Sequence, residues 1–109
     1  MLDGDLMLVM NGDPYFGLPI ARSTCRANFA VEVSNVSGSP TLDIVIEHRN
    51  RDDTSWSSAG AFSPITASGG SVLRVNGLKE LVRYKYSFSA GAAEDGAWVY
   101  SASPQWLND

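Results

Sequence analysis

Apolar and polar residues alternate with a period of two over most of the chain. Between 41 and 48, Leu42, Ile44 and Ile46 point one way while Asp43, Val45 and Glu47 point the other. That pattern makes a strand with one buried face, because successive side chains leave opposite sides of an extended backbone. Residues 28–36 repeat it, with Phe29, Ala30, Val31, Val33 and Val36 as the apolar content and Glu32 and Ser34 facing out. So do residues 82–88, where Val82, Tyr84, Tyr86 and Phe88 alternate with Arg83, Lys85 and Ser87. In 97–102, Trp98 and Tyr100 stand opposed to Val99 and Ser101. Core packing is the expected place of Trp56, Tyr84 and Trp98. Shorter strands are predicted over 6–10, 20–26, 56–62 and 71–75.

Turn residues punctuate these runs. Asn11-Gly12-Asp13-Pro14, Ser37-Gly38-Ser39-Pro40, Asn50-Arg51-Asp52-Asp53, Ser68-Gly69-Gly70, Asn76-Gly77 and the stretch 91–96 all tolerate positive φ or close a turn through a side chain. Residues 77–82 have room for one helical turn and no more. Even spacing without helix-length gaps predicts an all-β chain, a single antiparallel β-sandwich of jelly-roll or Ig-like type. The sandwich is expected over 19–103, with an extended N-terminal arm over 1–18 and a C-terminal tail over 104–109.

Composition narrows the chemistry. The chain has 109 residues, 12 acidic against 8 basic side chains and a net charge of -4, which opposes direct nucleic-acid binding. No apolar run approaches the ~20 residues of a spanning helix, so no membrane is expected. One Cys cannot form an internal disulfide, and one Cys with one His is a poor set for zinc. No cofactor or metal is expected. His48 is the sole histidine, so every Ser-His or Cys-His mechanism would need it. Its place at a strand end predicts a hydrogen bond near a turn instead. Cys25, between Arg22 and Arg26, is expected as a small buried group. Asp52 and Asp53 sit in a turn, where adjacent side chains diverge and cannot face each other across a cleft. The chain is expected not to be an enzyme.

Residues 41–90 carry a resemblance. A strand ending in Glu47-His48-Arg49 leads into Asn50-Arg51-Asp52-Asp53, then Trp56 and Phe62, and later the strand Arg83-Tyr84-Lys85-Tyr86. This resembles small β-sandwich structural proteins of tailed-bacteriophage virions, among them capsid decoration (cement) proteins. The same pattern is similar to discoidin-like carbohydrate-binding sandwiches. The chain departs where those virion proteins often carry a second Arg after Arg-Tyr, since Lys85 and Tyr86 stand there.

The resemblance implies a non-enzymatic virion protein, made in the host cytoplasm, that binds the major capsid protein on the outer capsid surface and stabilises the shell. A tail or adaptor component is the neighbouring reading. Self-association as a trimer or other cluster is expected to be possible. Partner contacts are expected from Leu6, Leu8, Tyr15 and Phe16 in the arm and Trp106 in the tail, the last either folding back over the sandwich or docking on a neighbour. Arg22, Arg26, Arg49 and Arg51 are expected to meet acidic neighbours. The alternative is a carbohydrate-binding module using Asn50, Asp52, Asp53 and Trp56.

Overall fold

The computed structural model describes residues 4–10, 14–34, 41–66, 68–89 and 96–107, with the backbone alone for 4–10, 88–89 and 96. Among the described residues ten strands appear in chain order: β1 (Gly4–Met10), β2 (Tyr15–Phe16), β3 (Ile20–Ala21), β4 (Ala27–Ser34), β5 (Thr41–Arg49), β6 (Ser57–Ala61), β7 (Gly69–Val75), β8 (Leu81–Ser89), β9 (Gly96–Ala102) and β10 (Gln105–Trp106). They form two packed antiparallel sheets, so the all-β sandwich is the fold of this chain. The first sheet runs β1-β9-β4 with β7 and β10 also on β4; the second runs β2-β8-β5-β6 with β3 also on β8.

Register explains the topology. Because β7 spans the whole of one edge of β4, β9 and β10 share its other edge, one after the other. Likewise β5 spans one edge of β8, and β2 and β3 follow each other along the opposite edge. Each sheet is therefore four strands wide. The pairs Ile46↔Gly60, Phe29↔Leu73, Ile20↔Val82 and Leu6↔Tyr100 are nested about the loop 50–56. The chain is one long hairpin with its apex at Asp52 and Asp53, rolled so that β5 meets β8 and β4 meets β9. The resulting order, 1-9-4-7 over 2-8-5-6, is that of an eight-stranded jelly roll.

The core fills the space between the sheets. Phe29, Val31 and Val33 enter from β4, Leu42, Ile44 and Ile46 from β5, and Val82, Tyr84 and Tyr86 from β8, all buried. Burial of each large side chain is worth about 1.5–3 kcal/mol. Val75 closes the core from the end of β7, and Phe62 and Leu78 from the connecting segments. Asn76-Gly77 turns the chain into β8 with Gly77 at φ 69°, a left-handed conformation that favours glycine. Residues 77–82 contain no helical turn: 76–80 are loop and Leu81 opens β8.

Two aromatic expectations are corrected. On β9 the inward set is Ala97, Val99 and Ser101, while Trp98 is 39% exposed. The reason lies across the core. β8 sends Tyr84 and Tyr86 inward, ring stacked on ring at 5.9 Å, and only small side chains fit opposite them. Trp56 is likewise outside the core, half-buried just before β6. Tyr84 is in the core as expected.

The termini join the sheets. Residues expected as an arm supply β1 to the first sheet, paired with β9 from Gly4↔Ala102 to Met10↔Gly96, and β2 to the second. Within the expected tail, Pro104 is buried, and Trp106 pairs with Ala27 and packs on the core. Trp106 folds back. The predicted strand over 20–26 shortens to Ile20–Ala21, and 22–26 become loop.

Candidate docking surfaces

The rolled hairpin gathers loops 22–26, 50–56 and 76–80 at one end of the sandwich. Backbone bonds join the first and last of these: the Arg22 amide donates to Glu80 O and the Leu78 amide to Cys25 O, both at 2.9 Å, and the Leu107 amide donates to Arg26 O at 2.9 Å. All four arginines expected to meet acidic neighbours lie in or beside these loops, with Lys79 added. Arg22, Arg26, Arg49, Arg51 and Lys79 there outnumber Asp52, Asp53 and Glu80 among the described residues. An acidic chain thus presents one basic end.

Hydrogen bonds hold these side chains in place. Arg22 donates from a guanidinium nitrogen to Leu78 O. Arg26 Nε donates to Asn76 Oδ1 at 3.1 Å. Both acceptors are neutral oxygens. The Arg51 backbone amide donates to Glu80 Oε1 at 3.0 Å, and its exposed side chain makes no hydrogen bond or ion pair among the described residues. Lys79 Nζ stands 4.0 Å from Asp53 Oδ2, an exposed pair of small energetic weight.

The apex loop is closed by its own side chains. The Asn50 amide donates to Asp53 Oδ2 at 2.8 Å and the Asp53 amide to Asn50 O at 3.0 Å. Arg49 donates to Asp53 O at 2.5 Å, and its guanidinium lies 5.1 Å from the Trp56 ring centre. Its Nε is buried with no hydrogen-bond partner among the described residues. Of the four residues of the expected sugar site, Asp53 therefore spends a carboxylate oxygen on the loop itself and Trp56 meets Arg49 with its ring, while Asn50 takes part through its backbone.

From this end an aromatic–cation stack descends the outer face of the second sheet. The Arg83 guanidinium lies 4.3 Å from the Trp56 ring centre and 4.1 Å from that of Phe16, while pairing with Glu47 at 2.8 Å. Glu47 and Arg83 are direct register partners, so one face presents both. Phe16 remains 46% exposed. The stack links Arg49 and Phe16, two of the expected contact residues, through Trp56 and Arg83. Reading the residues singly does not pick out Arg83 as a contact residue and offers Trp56 only for a sugar; the signal for Arg83 is cross-strand charge complementarity with Glu47, which needs the register.

The remaining expected contacts lie elsewhere. Tyr15 sits on β2 opposite Tyr86, at the edge of the second sheet. Leu6 and Leu8 stand in register beside Tyr100 and Trp98 on the first sheet, away from the basic end.

His48 does structural work. Its Nδ1 accepts the Lys79 amide at 3.2 Å. Burial, then the Lys79 charge, hold the imidazole below its ordinary pKa against an opposing pull from Asp53. Cys25 is half-buried. Among the described residues no group of three or more His, Cys, Asp or Glu is placed to hold a metal ion, and no helix is long and apolar enough to cross a membrane.

No protein-family model matches the chain, and no curated protein or solved structure is detectably similar to it.

Proposed function

We propose that this protein is a non-enzymatic structural module that docks on an acidic protein surface through its basic end. On the resemblance of residues 41–90, we propose that the surface is the outer face of a bacteriophage capsid, which the module decorates and stabilises. The observation that carries the docking reading is the convergence of Arg22, Arg26, Arg49 and Arg51 on one end of an acidic chain. Placing several guanidinium groups together has an electrostatic cost, and a carboxylate-rich partner turns that cost into binding energy and a faster encounter. Arginine suits the task because its planar fork pairs with carboxylates in two-toothed fashion. The adjoining Trp56–Arg83–Phe16 stack adds apolar area to the charged patch.

The test is co-sedimentation with expanded capsids built from the major capsid protein of the same gene cluster. The reading expects saturable, stoichiometric addition that weakens with salt. Arg51→Glu should lower affinity by about tenfold or more with unchanged thermal stability, since the Arg51 side chain makes no contact the fold depends on. Retention on a polysaccharide gel with no capsid binding would favour the carbohydrate-binding alternative and overturn this one.

A further inference from the structure

We infer that the outer face of the first sheet is a self-association surface, on which a second copy of this chain packs face to face. The inference does not rest on the virion reading, because this face is separate from the basic end. β4, β7 and β9 build it. Val72 is 71% exposed and Trp98 39% exposed, and a shallow hollow of about 230 Å3 opens beside Val72, lined by Ala30, Glu32, Gly70 and Tyr100. By the register Val72 and Trp98 flank this hollow, with Glu32 and Tyr100 between them; apolar side chains rimming a hollow on a sheet face suit an interaction site.

Charge identifies the occupant. Among the described residues the face has two charged side chains, Glu32 and Arg74, of opposite sign. Glu32 stands in register with Gly70 and Tyr100, Arg74 with Asn28. Arg74 Nε donates to Asn28 Oδ1 at 3.2 Å, which leaves its charge intact. Glu32 has no ion-pair partner among the described residues. Asn28 and Glu32 are four residues apart on β4, on the order of 13 Å, so Glu32 and Arg74 of one copy cannot meet. A two-fold axis lying in the face, crossing it between Ala30 and Val72, sets Glu32 of each copy over Arg74 of the other. Val72, close to that axis, then meets its own counterpart. The face is self-complementary, as an isologous dimer requires.

Area sets the strength. Three strands of seven residues give a footprint of about 330 Å2 per copy from strand spacing and rise. That lies below the usual size of specific interfaces, so the dimer is weak and concentration-dependent, with a dissociation constant on the order of high micromolar.

Sedimentation velocity of the full chain from low to high micromolar concentration tests this. The expected result is a monomer–dimer equilibrium, with Trp98 fluorescence shifting on dilution. Val72→Asp, which brings two carboxylates together at the axis, should weaken association by more than about tenfold, and Val72→Thr by less. Glu32→Arg and Arg74→Glu should each weaken it by about tenfold, and the two combined should restore it to within about threefold. Unchanged circular dichroism checks that each variant is folded. The inference is overturned if the wild type is monomeric throughout, if Val72→Asp associates like wild type, or if the combined swap is as weak as either single change. A monomer whose Trp98 emission is quenched by soluble oligosaccharides would overturn it too, assigning the face to a glycan.

Discussion

The Tyr84 hydroxyl crosses the core and donates to Ala102 O at 2.8 Å. Beside it, the Tyr86 hydroxyl and Ser101 Oγ share a second hydrogen bond between the same two strands. β8 and β9 belong to different sheets, so these bonds set the distance between sheets where apolar contact alone would leave it adjustable. Tyr84→Phe should cost about 1 kcal/mol in urea unfolding, because a part-buried carbonyl loses its donor. Burial also raises the Tyr84 pKa above the ordinary tyrosine range, with the neighbouring Tyr86 adding to it. The folded state favours the neutral phenol. Stability is therefore full below about pH 10 and falls as pH rises above it, and Tyr84→Phe should flatten that alkaline decline.

Arg83 serves two interactions with one guanidinium. It pairs with Glu47 and lies against the rings of Phe16 and Trp56. Arg83→Met keeps the stem but leaves the Glu47 carboxylate, 13% exposed at its side chain, without a counter-charge. The expected loss is about 1–3 kcal/mol by chemical denaturation. Arg83→Lys should recover part of it, as an ammonium keeps the charge and loses the flat stacking surface.

Mild acid should weaken the apex through His48. Its folded pKa is depressed below the unfolded value, mainly by burial and then by Lys79. A base depressed in this way contributes full stability above about pH 6.5 and loses it as pH falls through the folded pKa. Protonation of Nδ1 would also remove the acceptor for the Lys79 amide. Urea midpoints should decline from pH 7 toward pH 5, before most carboxylates titrate. His48→Asn, which offers an amide oxygen in place of Nδ1, should flatten that slope.

Removing residues 1–18 should unfold the protein. The deletion strips β1 from β9 and β2 from β8, exposing two strand edges and the core beside them. Circular dichroism should show loss of the cooperative thermal transition, and the product should aggregate. Partner contacts in this segment are therefore better probed by single exposed residues, with Phe16→Ser as one case, than by truncation.

How far the fold is legible in the chain differs from strand to strand. For β5 the reading is unambiguous, because Leu42, Ile44 and Ile46 oppose Asp43 and Glu47, and only one face can be buried without desolvating charge. For β9 it is not. Ala97 and Val99 on one side and Trp98 and Tyr100 on the other are both apolar enough to bury, and the larger pair is the natural choice. Tyr84 and Tyr86, more than ten residues earlier, overrule it by filling the space first. The same limit applies to the docking surface. Four arginines are visible as candidates, but Arg22 and Arg51 are neighbours only because β3 and β5 both border β8. Lys79 and Arg83, contributed by the opposite limb of the hairpin, give no sign of joining them.

By itself, the sequence determined that the chain is all-β, where most strands run and which face of β4, β5 and β8 turns to the core. Those properties are local: alternation with a period of two, and turn residues with their own backbone preferences. Only the tertiary structure decided the nesting of the hairpin, the face of β9, the entry of the terminal segments into the sheets and the gathering of cations at one end. Each depends on which strands pair, and pairing is settled by the joint packing of side chains far apart in the chain.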